Sequence, residues 1–165
     1  WHKELYGFAD HVPETEEYGI ESFAYRARRP FDPAKFNAFI NRTWPGLIRA
    51  KGHFWLATRP QWVGDFSLAG AIARVTGMGH WWAAIPKAHW PDHPDWQKLL
   101  ARNWSPVWGD RRQELVFIGT GMDEAAIRAA LDDCLVGPAN PIRFDPAAFR
   151  TLRDPFPFWG QADVA

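Results

Sequence analysis

The chain has 165 residues, a length that suits one domain able to bury about 70% of the surface that its unfolded form exposes. Lysine plus arginine number 19, as do aspartate plus glutamate, and this balance argues against a nucleic-acid partner or an anionic membrane. No stretch approaches the ~18 apolar residues of a membrane span. The single cysteine, Cys134, excludes an internal disulfide and fits a reducing compartment, so we expect a cytoplasmic protein.

The first half of the chain alternates strand and helix patterns. Residues 19–29 and 47–57 alternate in side-chain character, which predicts two strands, each with one buried face. Between them, Asp32 followed by Pro33 predicts a helix with an N-cap and a proline at its first position. Residues 71–76 and 80–85 are predicted to form a hairpin through residues 77–79, because glycines can take positive φ there. Residues 64–70 are predicted to be loop and strand entry.

The second half predicts three further helices and one strand. Pro94 can begin a helix, residues 112–118 suit a strand, and Asp123 can cap a helix whose apolar stripe ends at Leu135. A short last helix is predicted to start at Asp145. The order β-α-β-β-β-α-β-α has few crossover helices, so we predict an α+β fold in two layers. Its sheet would be antiparallel or mixed, with about five strands and with helices packed on one face.

Four blocks of sequence carry a resemblance to a known family. They are Tyr18-Gly19-Ile20-Glu21-Ser22-Phe23, Arg49-Ala50-Lys51-Gly52-His53-Phe54-Trp55-Leu56-Ala57, Trp108-Gly109-Asp110-Arg111-Arg112-Gln113-Glu114-Leu115-Val116-Phe117-Ile118-Gly119 and Gly119-Thr120-Gly121-Met122-Asp123. In this order they resemble the C-terminal domain of the CobW-type GTPases, a metal-handling family associated with cobalamin biosynthesis and zinc. The resemblance implies a regulatory and client-recognition domain of a GTP-dependent zinc chaperone. Its implied partners are an upstream GTPase domain and a metal-requiring client protein.

Two motifs of that family are missing from this chain. It contains no Walker A sequence G-x-x-x-x-G-K-[ST], whose amides and lysine hold nucleotide phosphates, and its one cysteine cannot supply a Cys-x-Cys-Cys metal motif. We therefore expect no enzymatic activity and no cofactor in this chain, while GTP, magnesium and zinc belong to the full-length parent. Residues 1–17 are predicted to be a linker or the tail of the GTPase domain, residues 18–152 the CobW C-terminal-like domain, and residues 153–165 a weakly ordered tail.

The first candidate for binding a partner or a neighbouring domain is the block Asp110, Arg111, Arg112, Gln113 and Glu114. Its arginines can form bidentate pairs with carboxylates, or one arginine can be left for a phosphate or an acidic partner. The spacing alone favours an internal salt-bridge network that fixes the turn before the strand. The resemblance marks the block as a family signature but does not give the reason for it.

The second candidate is a basic strip on one strand. Arg49, Lys51 and His53 are predicted to share a strand face with Trp55, opposite Ile48 and the residues that alternate with it. Such a strip suits an acidic peptide or a nucleotide-bearing loop of the neighbouring domain. Ordinary solvated side chains explain the pattern equally well, so both interpretations stay open.

Four histidines are the candidate metal ligands. His89 and His93 have the i, i+4 spacing of zinc ligands on a helix, although Pro91 between them argues against a helix. His2 and His11 lie in an acidic stretch that also contains Glu14, Glu16 and Glu17. Solvated loop positions are the favoured interpretation for both pairs.

Eleven tryptophans support a hypothesis of another class. The chain would be a stand-alone protein- or carbohydrate-binding module whose exposed indoles line one groove. Their positions within periodic segments favour a large aromatic core instead. A third hypothesis is a small α+β enzyme acting through His53 or His80, for which the sequence shows no acid–base partner.

Overall fold

A computed structural model of the protein describes residues 19–160. The strands and α-helices in this range are β1 (Glu21–Ala27), α1 (Pro33–Asn41), β2 (Leu47–Phe54), β3 (Trp62–Ala69), β4 (Ile72–His80), α2 (Pro94–Arg102), β5 (Gln113–Gly119) and α3 (Glu124–Cys134). Short 3-10 turns occur at Trp82–Ala84, Lys87–His89 and Pro146–Phe149. Among these helices, none combines the length and the apolar character that crossing a bilayer requires.

The strands form one sheet in the order β1-β5-β2-β3-β4, and every neighbouring pair is antiparallel. The last strand in sequence, β5, therefore lies between the first two. Because α1 and α3 cover one face of this sheet, the predicted two-layer α+β fold is confirmed.

The predicted helix starts are confirmed by their capping hydrogen bonds. Asp32 accepts a hydrogen bond from the Lys35 backbone N–H at 3.1 Å, and Pro33 begins α1. At the start of α3, Asp123 accepts from the Ala126 N–H at 3.0 Å. Each cap satisfies one of the backbone donors that a helix leaves unpaired at its N-terminus, which is worth about 1 kcal/mol.

The main core lies between the helices and the sheet and is rich in phenylalanine. Phe36 on α1 stacks on Phe31 at 4.7 Å and meets Phe54 of β2 at 4.6 Å between ring centroids. Ile127 and Leu131 close the core from α3. Full burial of each such side chain contributes about 1.5–3 kcal/mol, so this aromatic layer is the main source of stability.

A second, smaller cluster covers one end of the opposite face of the sheet. Trp55, Val63, Trp81 and Trp108 are buried together there, with Met78, Val107 and Phe144 packed against them. The indole N–H of Trp55 donates to the Arg28 carbonyl at 3.0 Å, and that of Trp81 donates to the Trp62 carbonyl at 2.8 Å. These tryptophans are core residues, as their periodic positions predict.

The predicted hairpin through residues 77–79 is wrong. The chain turns at residues 70–71, between β3 and β4, whereas residues 77–79 lie inside β4 and residues 82–84 form a 3-10 turn. A Cβ at Gly77 would overlap the Trp159 side chain, and a Cβ at Gly64 would overlap the Phe54 ring. These glycines make room for aromatic rings within strands, so they are not turn residues.

Residues 153–160, the described part of the predicted weakly ordered tail, pack against the domain. Asp154 accepts two hydrogen bonds from Arg59, at 2.8 and 2.9 Å, and one from Thr58 at 2.6 Å. Phe156 and Trp159 pack on the main core. The predicted linker at residues 1–17, with Tyr18, and residues 161–165 lie outside the described part of the chain.

Candidate functional site

The face of the sheet opposite α1 and α3, called here the rear face, carries three rows of side chains. The antiparallel register places one residue of each strand in each row. In the strand order of the sheet, the rows are Arg26–Glu114–His53–Asp65–Thr76, then Ala24–Val116–Lys51–Ser67–Arg74, then Ser22–Ile118–Arg49–Ala69–Ile72.

The exposed charges of the rear face are basic. Arg26, Arg49, Lys51 and Arg74 are all exposed. The two acids in the rows are Glu114, which is 8% exposed and pairs with Arg112 at 2.9 Å, and Asp65, which lies 3.7 Å from His53. Four basic residues are therefore exposed in these rows, against one partly exposed acid, Asp65, whose side chain is 30% exposed.

Exposed apolar side chains accompany these charges. Ile118 is 37% exposed and lies beside Arg49 in the third row, while Ile72 at the β4 end of that row is 64% exposed. Ile48 is also 48% exposed, since a register irregularity between Leu47 and Arg49 interrupts the alternation predicted for β2. A surface that combines basic and apolar groups suits a protein partner better than open solvent.

Only half of the predicted basic strip on β2 is accessible. Arg49 and Lys51 are exposed, whereas His53 is 2% exposed and Trp55 is fully buried. The reason is the second aromatic cluster, which covers the end of the rear face where β2 finishes. His53 and Trp55 are therefore buried within the domain.

The two acids of the Asp110–Glu114 block contact groups inside the domain. The Asp110 carboxylate accepts hydrogen bonds from the Trp82 and Ala83 backbone N–H groups, at 3.0 and 2.9 Å. Glu114 accepts from the Arg112 Nε at 2.9 Å, and Arg112 also donates to the Asp110 carbonyl at 3.0 Å. This geometry matches the internal network that the spacing favours, and it anchors the 3-10 turn after β4 to the start of β5.

Arg111 is also directed inward. Its Nε donates to the Pro60 carbonyl at 2.6 Å, and its guanidinium lies 5.8 Å from the Trp55 ring centroid and 5.7 Å from that of Phe144. Burial lowers the pKa of Arg111, while the nearby Asp110 acts in the opposite direction. The guanidinium holds two aromatic residues and a loop carbonyl together.

Gln113 joins β5 to the end of β2. Its side-chain oxygen accepts from the Trp55 backbone N–H at 2.9 Å, and its amide nitrogen donates to the Trp55 carbonyl at 2.9 Å and to the Arg29 carbonyl at 3.0 Å. The side chain is fully buried. Gln113 thus continues strand-like pairing where β2 ends at Phe54.

Arg28, which the sequence analysis did not single out, belongs to the same network. It donates to the carbonyls of Gly109 at 3.0 Å, Arg111 at 3.3 Å and Asn103 at 2.8 Å. Burial, and then the charge of Arg112, lower its pKa. Its position just after β1 gives no sequence signal for this role, because the three carbonyls belong to a loop more than seventy residues away.

The structure places the two candidate histidines His89 and His93 on different elements. His89 ends a 3-10 turn and is exposed, while His93 caps α2 by accepting from the Asp95 N–H at 3.3 Å. Within residues 19–160, no group of three or more His, Cys, Asp or Glu side chains is placed to hold a metal ion. The other candidates, His2 and His11, lie outside the described residues.

A separate cleft lies beside α2. Its volume is about 390 Å³, and its lining includes Trp90, Trp104 and Lys87. The two indoles meet edge to face at 5.5 Å, and Trp104 is 38% exposed. Trp104 is the one exposed tryptophan among residues 19–160, so this range contains no groove lined by several exposed indoles.

The two histidines considered for a small enzyme lie in different surroundings. His80 is exposed and its ring packs on Trp62, with 4.5 Å between centroids, whereas His53 is buried.

The antiparallel sheet, the helical layer and the inward-facing arginine block define a small α+β domain. The cobalamin synthesis protein cobW C-terminal domain family matches this chain over residues 20–135. The chain belongs to that family, which confirms the resemblance seen in the four sequence blocks.

Two relatives show which proteins contain such a domain. The zinc-regulated GTPase metalloprotein activator 1 of Dictyostelium discoideum is 41% identical over 159 residues, which cover 94% of this chain and 33% of that protein. A zinc chaperone of Mycobacterium tuberculosis is 30% identical over 137 residues, covering 82% of this chain and 34% of that protein. The chain therefore spans about a third of the length of these relatives.

The structural comparison supports the fold. The Zn(II)-bound YjiA GTPase from E. coli is similar with a TM-score of 0.50 and 18% identity, over 72% of this chain and 30% of that one. At this level of identity, the similarity concerns the arrangement of strands and helices alone.

Proposed function

We propose that this domain is the coupling domain of a GTP-dependent zinc chaperone, in which it contacts a GTPase domain and transmits its nucleotide state. Family membership and the two zinc-related relatives support this proposal. In the full-length chaperone, the GTPase domain would supply the GTP and magnesium sites, and zinc would be the cargo. The protein would act in the cytoplasm, without nucleic-acid or membrane partners.

The exposed basic rows of the rear face are the observation that carries the proposal. Of the nine residues predicted to bind a partner, Arg49 and Lys51 are exposed, and the remaining side chains contact or are buried within the domain. A coupling surface needs accessible groups whose contacts can change. Arg49 and Lys51, with Arg74 beside them, meet this requirement, whereas a change at Gln113 or Glu114 would disturb the fold itself.

The physical requirement is a difference in contacts between two nucleotide states. Acidic groups of the GTPase domain would approach Arg49 and Lys51 in one nucleotide state and withdraw in the other. The two domains would then bind each other more tightly in the first state, and this difference in affinity would shift the equilibrium between the two nucleotide states. Coupling energies of about 1–3 kcal/mol are typical of such linkage, which corresponds to roughly 5–150-fold in affinity. A few charge-assisted contacts on a partly apolar surface can supply this amount.

The test reverses the charges of the rear face in a longer protein that contains the GTPase domain. Arg49→Glu with Lys51→Glu should change the GTP dependence of zinc release by at least about 5-fold, because the expected acidic partners would be repelled. The matched control is Lys98→Glu with Arg102→Glu, which makes the same charge change at exposed positions of α2. Equal zinc-release rates in the rear-face variant, the control and the parent would contradict the proposal.

Client recognition is the second proposed role, and the cleft of Trp90 and Trp104 favours it. Tryptophan is a typical anchor of protein interfaces; Trp104 is exposed here beside the half-buried Trp90, whose ring centroid lies 5.7 Å from the Lys87 ammonium. Trp104→Ala should weaken client binding about tenfold or more and leave nucleotide-dependent zinc release unchanged. Unchanged affinity for the client would remove the cleft from the proposal. The alternative of a stand-alone protein- or carbohydrate-binding module would need several exposed indoles in one groove, whereas Trp104 is the one exposed tryptophan of residues 19–160.

A further inference from the structure

The edge strand β4 carries a row of backbone groups that point away from the sheet. Its nine residues pair with β3 alone. A two-residue turn closes an antiparallel hairpin on a hydrogen-bonded pair, here Ala69 and Ile72. The alternate residues Ala73, Val75 and Gly77 therefore direct their N–H and C=O groups outward. Within residues 19–160, no hydrogen bond joins these backbone groups to another segment.

The opposite edge of the sheet is protected, whereas β4 is not. On β1, the Ala24 carbonyl accepts a hydrogen bond from the Arg128 Nη2 of α3 at 3.1 Å. Edge strands are commonly protected by lysine, proline, a bulge or short length. Residues 72–77 contain no lysine or proline, and the register irregularity between β3 and β4 lies beyond Gly77. This part of β4 is therefore a regular edge to which another strand can be added.

Symmetric pairing of β4 with a second copy of this chain has one favoured register. A two-fold axis beside Val75 pairs this residue with its own counterpart, and pairs Ala73 with Gly77 of the second copy. All three outward-directed residues then form hydrogen-bonded pairs. The same register places the exposed Arg74 opposite the exposed Thr76. An axis one residue earlier would place two copies of Arg74 directly opposite each other, which like-charge repulsion disfavours.

The remaining side chains of β4 also match in this register. Ile72, which is 64% exposed, lies opposite Met78 of the second copy, a residue that packs on the second aromatic cluster. Apolar cross-strand neighbours of this kind stabilise strand pairing. The most exposed apolar side chain of β4 therefore gains an apolar neighbour, while Arg74, its one Lys or Arg residue, selects the register.

We propose that the chain self-associates through antiparallel β4–β4 pairing, so that two five-stranded sheets join into one continuous sheet. Each of the three outward-directed pairs exchanges two backbone hydrogen bonds. Because association also costs translational and rotational freedom, we expect a weak dimer with a dissociation constant of roughly 10⁻⁴ M.

The dimer has a consequence for the rear face. The two-fold axis of an antiparallel pair is perpendicular to the sheet, so the rear faces of both copies lie on the same side. Two GTPase domains docked on these faces would lie next to each other. This consequence rests on the proposed function, whereas the pairing of β4 can be measured in this chain by itself.

Concentration-dependent hydrogen exchange tests the pairing in the unmodified chain. Sedimentation equilibrium and amide exchange would be measured from roughly 10 µM to 1 mM, on both sides of the expected dissociation constant. Exchange of the Ala73 and Val75 amides should slow about fourfold across this range, because the dimer protects them. The Ala24 amide, at the opposite edge of the sheet, is the internal reference and should not change.

A charge substitution makes the test specific. Thr76→Arg places an arginine opposite Arg74 in both halves of the interface and should weaken the dimer about fivefold or more. Combining Thr76→Arg with Arg74→Glu should restore it, because opposite charges then face each other. The matched control is Thr120→Arg, which makes the same charge change at an exposed position after β5 and should leave the dimer unchanged.

Two results would overturn the inference. One is a chain that sediments as a monomer over the whole concentration range. The other is a dimer in which the Ala73 and Val75 amides exchange at unchanged rates, which would place the contact elsewhere, for example at Trp104. The exchange measurement needs no substitution, so it decides the question even if the Thr76→Arg variant does not fold. Neither result changes the zinc-release test of Arg49 and Lys51, because that test measures coupling to the GTPase domain.

Discussion

The side chain of Gln113 pairs with the backbone of Trp55 as another strand would, accepting from its N–H and donating to its carbonyl, both at 2.9 Å. Both residues are fully buried. A primary amide carries an acceptor oxygen and a donor nitrogen side by side, so Gln113 satisfies both backbone polar groups of Trp55, and its second N–H donates to the Arg29 carbonyl. Gln113 therefore has a structural role, pairing with the backbone just beyond β2.

Gln113→Ala should lower the free energy of unfolding by about 2–4 kcal/mol, because the Trp55 N–H and carbonyl would be left buried without partners. Chemical denaturation checks this value. Gln97→Ala on the exposed surface of α2 is the matched control and should change stability by less than about 0.5 kcal/mol. A Gln113→Ala variant as stable as that control would contradict the assigned role.

The Arg112–Glu114 pair should behave as a unit. Both residues are buried, so Arg112→Met leaves a buried carboxylate without this partner and should cost about 3–5 kcal/mol. Replacing both residues, as Arg112→Met with Glu114→Leu, should recover much of that loss. A double-mutant cycle in urea measures the coupling, and additive single effects would show that the two residues act independently.

Asp154 should make stability depend on pH in the acid range. Burial alone would raise the pKa of Asp154, but hydrogen bonds from Arg59 and Thr58 outweigh it and hold the pKa below its usual value. A depressed folded-state pKa gives stability that is present above the unfolded value of about 3.9 and is lost as pH falls through the folded pKa.

The stability difference between the parent and Asp154→Asn should therefore be largest near neutral pH and shrink below about pH 4. Denaturation curves at several pH values check this trend. Asp92→Asn, at an exposed loop position, is the control. A difference that stays constant down to pH 2 would show that the Asp154 carboxylate charge contributes nothing.

Cys134 should be unreactive in the folded protein. Burial raises the pKa of its thiol to about 12, and the thiol donates to the Ala130 carbonyl at 3.3 Å. Since the thiolate is the reacting species, a disulfide reagent at pH 8 should modify the native chain far more slowly than the denatured chain. Equal rates in the two states would place the thiol at the surface.

Helix starts and most strands could be predicted from the sequence, because local chemistry fixes them. Asp32 with Pro33, and Asp123, carry their capping function in their own side chains. The hairpin could not be predicted in the same way. Gly64 and Gly77 are required by Phe54 and Trp159, two rings that reach these strands only through tertiary packing.

The candidate site was harder to predict from the sequence, for a related reason. Sequence spacing placed Arg49, Lys51, His53 and Trp55 on one strand face, but accessibility depends on which segment covers that face. Trp108 and Phe144, which are distant in sequence, pack on Trp55, and His53 is also buried, while Arg49 and Lys51 remain exposed. The inward orientation of Arg111 likewise depends on the Pro60 carbonyl, which lies 51 residues earlier in the chain.

The most direct test of the coupling role measures the accessibility of Lys51 in each nucleotide state. A longer protein with its GTPase domain would be labelled with an amine-reactive reagent in the GDP state and with a GTP analogue, and modification would be quantified by mass spectrometry. Lys98, exposed on α2, is the internal reference. Labelling of Lys51 relative to Lys98 should differ by severalfold between the two states. Equal relative labelling in both states would contradict a coupling surface on the rear face.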